Sequence, residues 1–152
     1  MTGYTARVGI VGGAGYTGGE LLRILLQHPQ VHITFIHSKS NGGKKVYQVH
    51  EDLWGETELT FTDDNTILQS HYDILFLCVG HGEAKRFLEE HNIHPQVRII
   101  DLSQDFRLPS HRQYNDRNFV YGLPEQYRNE IQHAKNIANP GCFATAIQLA
   151  LL

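Results

Sequence analysis

The 152-residue chain has a formal charge of −3 and its charges are dispersed, which suits one ordinary domain and offers no basic stripe for nucleic acid or an anionic membrane surface. No apolar stretch reaches the roughly 18 residues a membrane span needs, and the N-terminus lacks a basic-then-apolar secretion signal, so a soluble cytoplasmic protein is expected. The two cysteines, Cys78 inside an apolar run and Cys142 after a turn, read as a buried thiol and a positioned thiol rather than a disulfide framework.

The chain opens on Val8-Gly9-Ile10-Val11, a β-branched strand that runs into Gly12-Gly13-Ala14-Gly15-Tyr16-Thr17-Gly18. Gly13, Gly15 and Gly18 have the G-x-G-x-x-G spacing of a dinucleotide cradle. Such a turn needs backbone angles and a closeness to pyrophosphate that side chains would obstruct, and the helix it opens adds unpaired N–H donors and a partial positive charge. Gly12, Gly13, Gly15, Tyr16, Thr17 and Gly18 are therefore candidate cofactor contacts. The helix is predicted to run to about His28, before Pro29, and its nearly all-apolar circumference predicts burial between layers.

Residues 31–36 form the predicted second strand, completing a strand–helix–strand unit long enough for a right-handed crossover. In such folds an acid about 20 residues past the glycines holds the ribose 2′-hydroxyl, whereas a basic residue accommodates a 2′-phosphate. Here Ser38, Lys39 and Ser40 follow the strand, Lys44 and Lys45 lie nearby, and the first acid is Glu51. The pattern points to NADP (NADPH), against the alternative of a solvated basic loop. Between 41 and 72 the sequence carries no legible chemistry: Gly42-Gly43 is a flexible point, Trp54 a core or flap aromatic, and 59–62 a short strand.

Ile74 to Val79 is an apolar run of buried-strand length that ends in Gly80-His81-Gly82. Ligands of open α/β sheets lie beyond the carboxyl ends of the strands, which makes Gly80 and His81 candidate cofactor contacts, with a plain turn histidine as the alternative. A helix with Ala84, Phe87, Leu88 and His91 on one face comes next, then a strand over 97–102. That strand delivers Ser103, Asp105 and Arg107, which either orient a ligand or settle their charges within the loop. His28 and His32 straddle Pro29, and His91 and His94 adjoin Pro95, so neither pair shares a helix face and no metal site is predicted.

Tyr121-Gly122-Leu123-Pro124-Glu125 opens a short helix to about Ile131, and Asn136-Ile137-Ala138 supplies a last strand. Asn139-Pro140-Gly141-Cys142 then places a sulfur at the start of an apolar helix, where the dipole and free N–H groups favour a nucleophilic thiolate. With a nicotinamide cofactor this implies covalent reduction of an acyl group; the alternative is a small cysteine capping a helix. The terminal helix is mostly apolar and lacks a glycine stop or basic last turn, which predicts association if it is left uncovered.

Gly12 to Gly18, Ile100-Asp101-Leu102-Ser103-Gln104-Asp105-Phe106-Arg107, Tyr121-Gly122-Leu123-Pro124-Glu125 and Asn139-Pro140-Gly141-Cys142 occur in this order, and together they resemble the N-acetyl-gamma-glutamyl-phosphate reductases of the aspartate-semialdehyde dehydrogenase superfamily. The resemblance spans the chain. It implies an α/β, Rossmann-type doubly wound, mostly parallel sheet: an NADP-binding domain over 1–141, then 142–152 as the first helix of a truncated substrate domain. It also implies an oxidoreductase of arginine biosynthesis in which NADPH reduces N-acetyl-glutamyl 5-phosphate to the semialdehyde, with phosphate release and Cys142 as nucleophile. The partner is a small-molecule acyl phosphate, and the full-length enzyme is expected to be a homo-oligomer. Gly80 stands where the family usually has Pro, and Phe143-Ala144 where Tyr-Pro is usual. The chain resembles only the first half of such an enzyme, so the general acid/base is not assigned and the 152 residues alone are expected to be inactive. The rival readings are a nucleotide-binding module without turnover and an NADP-dependent reductase with no covalent step.

Overall fold

A computed structural model describes residues 5–152, which fall into two compact units with the boundary between Cys78 and Val79. The first unit comprises β1 (Ala6–Val11), α1 (Tyr16–Leu26), β2 (Val31–His37), β3 (Phe61–Thr62), α2 (Asp64–Gln69) and β4 (Ile74–Leu77). Its strands run in the order β3-β2-β1-β4, and every pairing is parallel. Val8 and Ile10 on one side of β1 and Val11 on the other are all buried, the signature of a parallel strand covered on both faces. Gly9 is required in that strand because the Phe35 ring of β2 occupies the space a Cβ would take.

α1 ends at Leu26, two residues short of the expected His28, with Gln27 as C-cap. Pro29 keeps His28 out of helical geometry, and the last turn closes before it. The helix is not buried all round: Gly18, Gly19, Leu22 and Leu25 face inward while Ile24 is 65% exposed. Trp54 is likewise no core residue, being 73% exposed and packed edge-on against Tyr47 at 4.6 Å. The segment between β2 and β3 instead folds into two 3-10 turns, Val46–Gln48 and Glu51–Leu53.

The second unit holds α3 (Glu83–Glu90), β5 (Arg98–Asp101), β6 (Gln113–Tyr114), β7 (Arg117–Tyr121), α4 (Pro124–His133), β8 (Asn136–Ala138) and α5 (Cys142–Leu151). Its strands run β5-β8-β7-β6, parallel except for the β6–β7 hairpin, whose turn places Asn115 at φ 49°. Ala84, Phe87 and Leu88 form the buried face of α3, as the helical spacing predicts, whereas His91, expected on the same face, is the extended C-cap past the helix end and only half-buried. The hairpin has no counterpart in the sequence reading. It is held by Phe106 stacked on Phe119 at 4.1 Å and by Arg117, which donates to the carbonyls of Ile93, His94 and Val97 and to Asn136 Oδ1 at 2.9–3.0 Å. Among the described residues no helix is long and apolar enough to cross a membrane.

Candidate functional site

In the first unit the glycine turn is a stack of backbone on backbone. A Cβ at Gly18 would stand 2.6 Å from both Gly12 O and Gly13 Cα, and one at Gly13 would strike Ile36. Gly12, at φ 80°, occupies the left-handed region that a side chain disfavours. The amides of Gly12 and Gly13 both donate to the His37 carbonyl, at 3.1 and 3.0 Å, so these two glycines build the turn instead of offering donors. Gly15 is the N-cap of α1 in extended geometry with no capping side chain, and no acid lies in the first turn. The amides of Tyr16 and Thr17, both exposed residues, and of the buried Gly18 are first-turn donors with no helical acceptor, the arrangement that receives a phosphate.

The loop after β2 separates the sequence-predicted residues by role. Ser38 is buried and its amide bonds Thr62 O at 3.1 Å, while Lys39 and Ser40 are exposed. Asn41, which the sequence reading passed over, donates from Nδ2 to Ser40 Oγ at 3.1 Å and Ser38 Oγ at 3.5 Å, and accepts Lys44 Nζ at 3.0 Å. Lys45 is committed to Glu58, through its carbonyl at 2.7 Å and its carboxylate at 3.2 Å. Lys39 is left with no ion-pair partner among the described residues. An Asn one position past Ser38-Lys39-Ser40 is the signal that sequence reasoning missed.

In the second unit three loops are laced together. His81 Nδ1 accepts the Gln104 amide at 3.2 Å, which places the proton of the neutral ring on Nε2. Asp105 accepts the amides of Gly82 at 2.6 Å and Lys85 at 3.0 Å, and so caps α3 from a distant loop. Asp105 and Arg107 form no ion pair with each other. Arg107 donates from Nε to Asn139 O at 2.8 Å and from Nη2 to Leu102 O at 2.7 Å. Its Nη1 lies so close to Gly141 that an added Cβ there would stand 2.8 Å away.

Arg107 thereby fixes the turn that leads into α5, whose first residue is Cys142, exposed and preceded by Gly141 as N-cap. An open cleft of about 720 Å³ nearby in sequence is lined by Gly82, Lys85, Gln104, Arg107, Ser110 and His111, and Cys142 is not among its walls. Beneath the loops Asp101 is fully buried at the end of β5, accepting the Ser103 amide at 3.0 Å and hydroxyl at 2.8 Å. Burial pushes its pKa up to about 6, against the lowering effect of those two bonds.

The sequence matches the family described as "Semialdehyde dehydrogenase, NAD binding domain" over residues 7–134. It is 53% identical over 146 residues to the N-acetyl-gamma-glutamyl-phosphate reductase of Phocaeicola vulgatus, covering 96% of this chain and 44% of that protein. The reductase of the same name from Christiangramia forsetii is 52% identical over 144 residues, with 95% and 43% covered. The chain therefore spans less than half the length of the curated relatives it matches. Among solved structures, aspartate semialdehyde dehydrogenase II from Vibrio cholerae, complexed with ASA, superposes with a TM-score of 0.71 at 21% identity, over 97% of this chain and 45% of that one. Aspartate semialdehyde dehydrogenase with NADP from Candida albicans gives 0.60 at 15% identity, over 89% and 42%. These likenesses show a Rossmann-type fold.

Proposed function

The chain belongs to the semialdehyde dehydrogenase family as its NAD-binding domain, and from its likeness to the reductases at 52–53% identity we propose that it is the nucleotide-binding part of an N-acetyl-gamma-glutamyl-phosphate reductase acting in arginine biosynthesis. The substrate is N-acetyl-glutamyl 5-phosphate and the product its semialdehyde. The observation that carries the covalent mechanism is the exposed Cys142 at the first position of α5, on a turn gripped by Arg107. Within the domain division proposed here, 1–141 bind the nucleotide and α5, which buries none of its residues, leads into the substrate domain.

The glycine turn fits a dinucleotide: its backbone-on-backbone packing leaves no room for side chains, and the first-turn amides of α1 lack partners. Tyr16, Thr17 and Gly18 would hold the pyrophosphate, and Gly12, Gly13 and Gly15 shape the turn. Ser38, Lys39 and Ser40 would hold a 2′-phosphate, which selects NADPH. Gly80 and His81 are assigned to the cofactor on the sequence pattern, as residues just past a strand's carboxyl end.

Cys142 Sγ attacks the acyl carbon, the bond from that carbon to the phosphate oxygen breaks, and phosphate leaves with the electron pair, giving a thioester on Cys142. The dinucleotide, when bound, supplies the hydride that releases this thioester as the aldehyde. Cys142→Ser in the full-length protein tests the reading. It should abolish substrate-dependent NADPH oxidation and phosphate release while NADPH affinity stays within twofold, and full activity in that variant would leave a non-covalent reductase as the better account.

A further inference from the structure

We propose that His50 is a positioning residue for the dinucleotide turn, acting through the peptide between Gly13 and Ala14; the inference rests on the dinucleotide-binding reading of that turn. His50 lies between the two 3-10 turns, in a stretch whose sequence suggests no chemistry. Its Nε2 stands 2.9 Å from Gly13 O. A carbonyl only accepts, so Nε2 carries the proton and donates. The ring also packs against α1: a Cβ at Gly19 would stand 2.6 Å from His50 Cε1 and 2.8 Å from Nδ1, so the imidazole fills the space that a side chain at Gly19 would take.

The anchor is itself held at several points. His50 N–H donates to Val46 O and His50 O accepts from Leu53, both at 3.0 Å. Two residues on, Asp52 makes a two-pronged pair with Arg23 of α1, with both contacts at 2.7 Å. The ring is therefore delivered to the turn by a segment fastened along the same helix.

What the contact does follows from peptide geometry. In a planar trans peptide the C=O and N–H point in opposite directions, so fixing Gly13 O toward His50 turns Ala14 N–H to the other face. That amide has no bonding partner among the described residues, whereas the amide of Gly13 is held by the His37 carbonyl at 3.0 Å. Both peptides flanking Gly13 are thus immobilised, one by a strand carbonyl and one by an imidazole. Ala14 N–H is left as a preset donor beside those of Tyr16 to Gly18, and an amide aimed before the ligand arrives spares the ordering cost on binding.

The test is a titration of NADPH, and of 2′-AMP, which lacks the pyrophosphate, into the unsubstituted chain and into His50→Leu, His50→Gln and His50→Asn. In His50→Leu the affinity for NADPH should fall about tenfold while that for 2′-AMP stays unchanged. His50→Gln, whose amide N–H reaches as far as Nε2, should restore NADPH binding, and the shorter His50→Asn should not. Equal losses for the two ligands would mark a merely structural role and overturn the inference. So would unchanged NADPH affinity in a folded His50→Leu or, should that variant not fold, equal affinities in the Gln and Asn variants. Failure of the unsubstituted chain to bind NADPH or NADH would instead overturn the dinucleotide reading, and this inference with it.

Discussion

Arg107 donates to the carbonyl of Asn139 at 2.8 Å, so the loop after β5 grips the turn that presents Cys142. The same guanidinium bonds Leu102 O at 2.7 Å, and together the two contacts join the starts of two loops through one rigid plane. Arg107→Leu removes both charge-assisted bonds and leaves two carbonyls to find water. A loss of about 2 kcal/mol in stability is expected, read from the denaturant midpoint. Arg107→Lys, which supplies donors without the planar fork, should recover less than half of it.

Asp101 predicts a pH dependence. Its carboxyl has a pKa pushed up to about 6 by burial, against an ordinary value of 3.8. The folded chain therefore holds this proton more tightly than the unfolded chain between those values. The contribution is present in full below pH 3.8 and is lost as pH rises through about 6, so stability falls across that window and levels off above it. The span corresponds to about 3 kcal/mol as an order of magnitude. Asp101→Asn keeps an acceptor for the Ser103 amide and removes the titration, so its unfolding free energy, followed from pH 4 to 7, should lose that slope.

The sequence and the structure part company where contacts are distant along the chain. β1, α1 and β2 were legible because glycine spacing and apolar periodicity are local signals, and α3 because Ala84, Phe87 and Leu88 recur at helical intervals. The β6–β7 hairpin was not, since Arg117 and Phe119 are fixed by partners between 13 and 24 residues away. The same holds within the candidate site. Gly12 and Gly13 were visible as a motif, but their amides serve His37 and the turn leans on His50, and neither relation leaves a trace in local spacing. Asp105 reads as a partner for Arg107 two positions on, yet it caps α3 instead.

The proposed preference for NADPH makes Lys39 the residue to test. Lys45 is occupied by Glu58 and Lys44 by Asn41, whereas Lys39 is exposed and free of ion pairs among the described residues. Calorimetric titration at low salt should show NADPH binding at least tenfold more tightly than NADH. Lys39→Glu should erase or reverse that preference, and equal affinities in the unsubstituted chain would remove Ser38 to Ser40 from the phosphate pocket.

α5 predicts association of the 152-residue chain. Phe143 is 76% and Leu151 81% exposed, and the helix buries none of its residues, which is unusual for a helix this apolar. Light scattering should show a mass that rises with concentration, and the double substitution Phe143→Gln with Leu151→Lys should lower it. A clean monomer at high concentration would count against the patch.

The two cysteines give the most direct readout of the catalytic assignment, because they differ in environment within one chain. Cys142 is exposed at the first position of α5, so a small alkylating agent meets its sulfur without any opening of the fold. Cys78 is 6% exposed just past the end of β4, and its amide is bonded to Val11 O at 2.8 Å, so the same reagent reaches it only when β1 and β4 separate there. Iodoacetamide at neutral pH should label Cys142 first, and peptide mass mapping should find Cys78 unmodified until denaturant is added. Prior incubation of the full-length protein with the acyl-phosphate substrate and no cofactor should block labelling at Cys142 by converting the sulfur to a thioester that hydroxylamine then removes. Labelling that is equally fast at both residues would contradict the burial. Labelling of Cys142 that substrate never blocks would remove it from the chemistry and return the turn to a purely structural role.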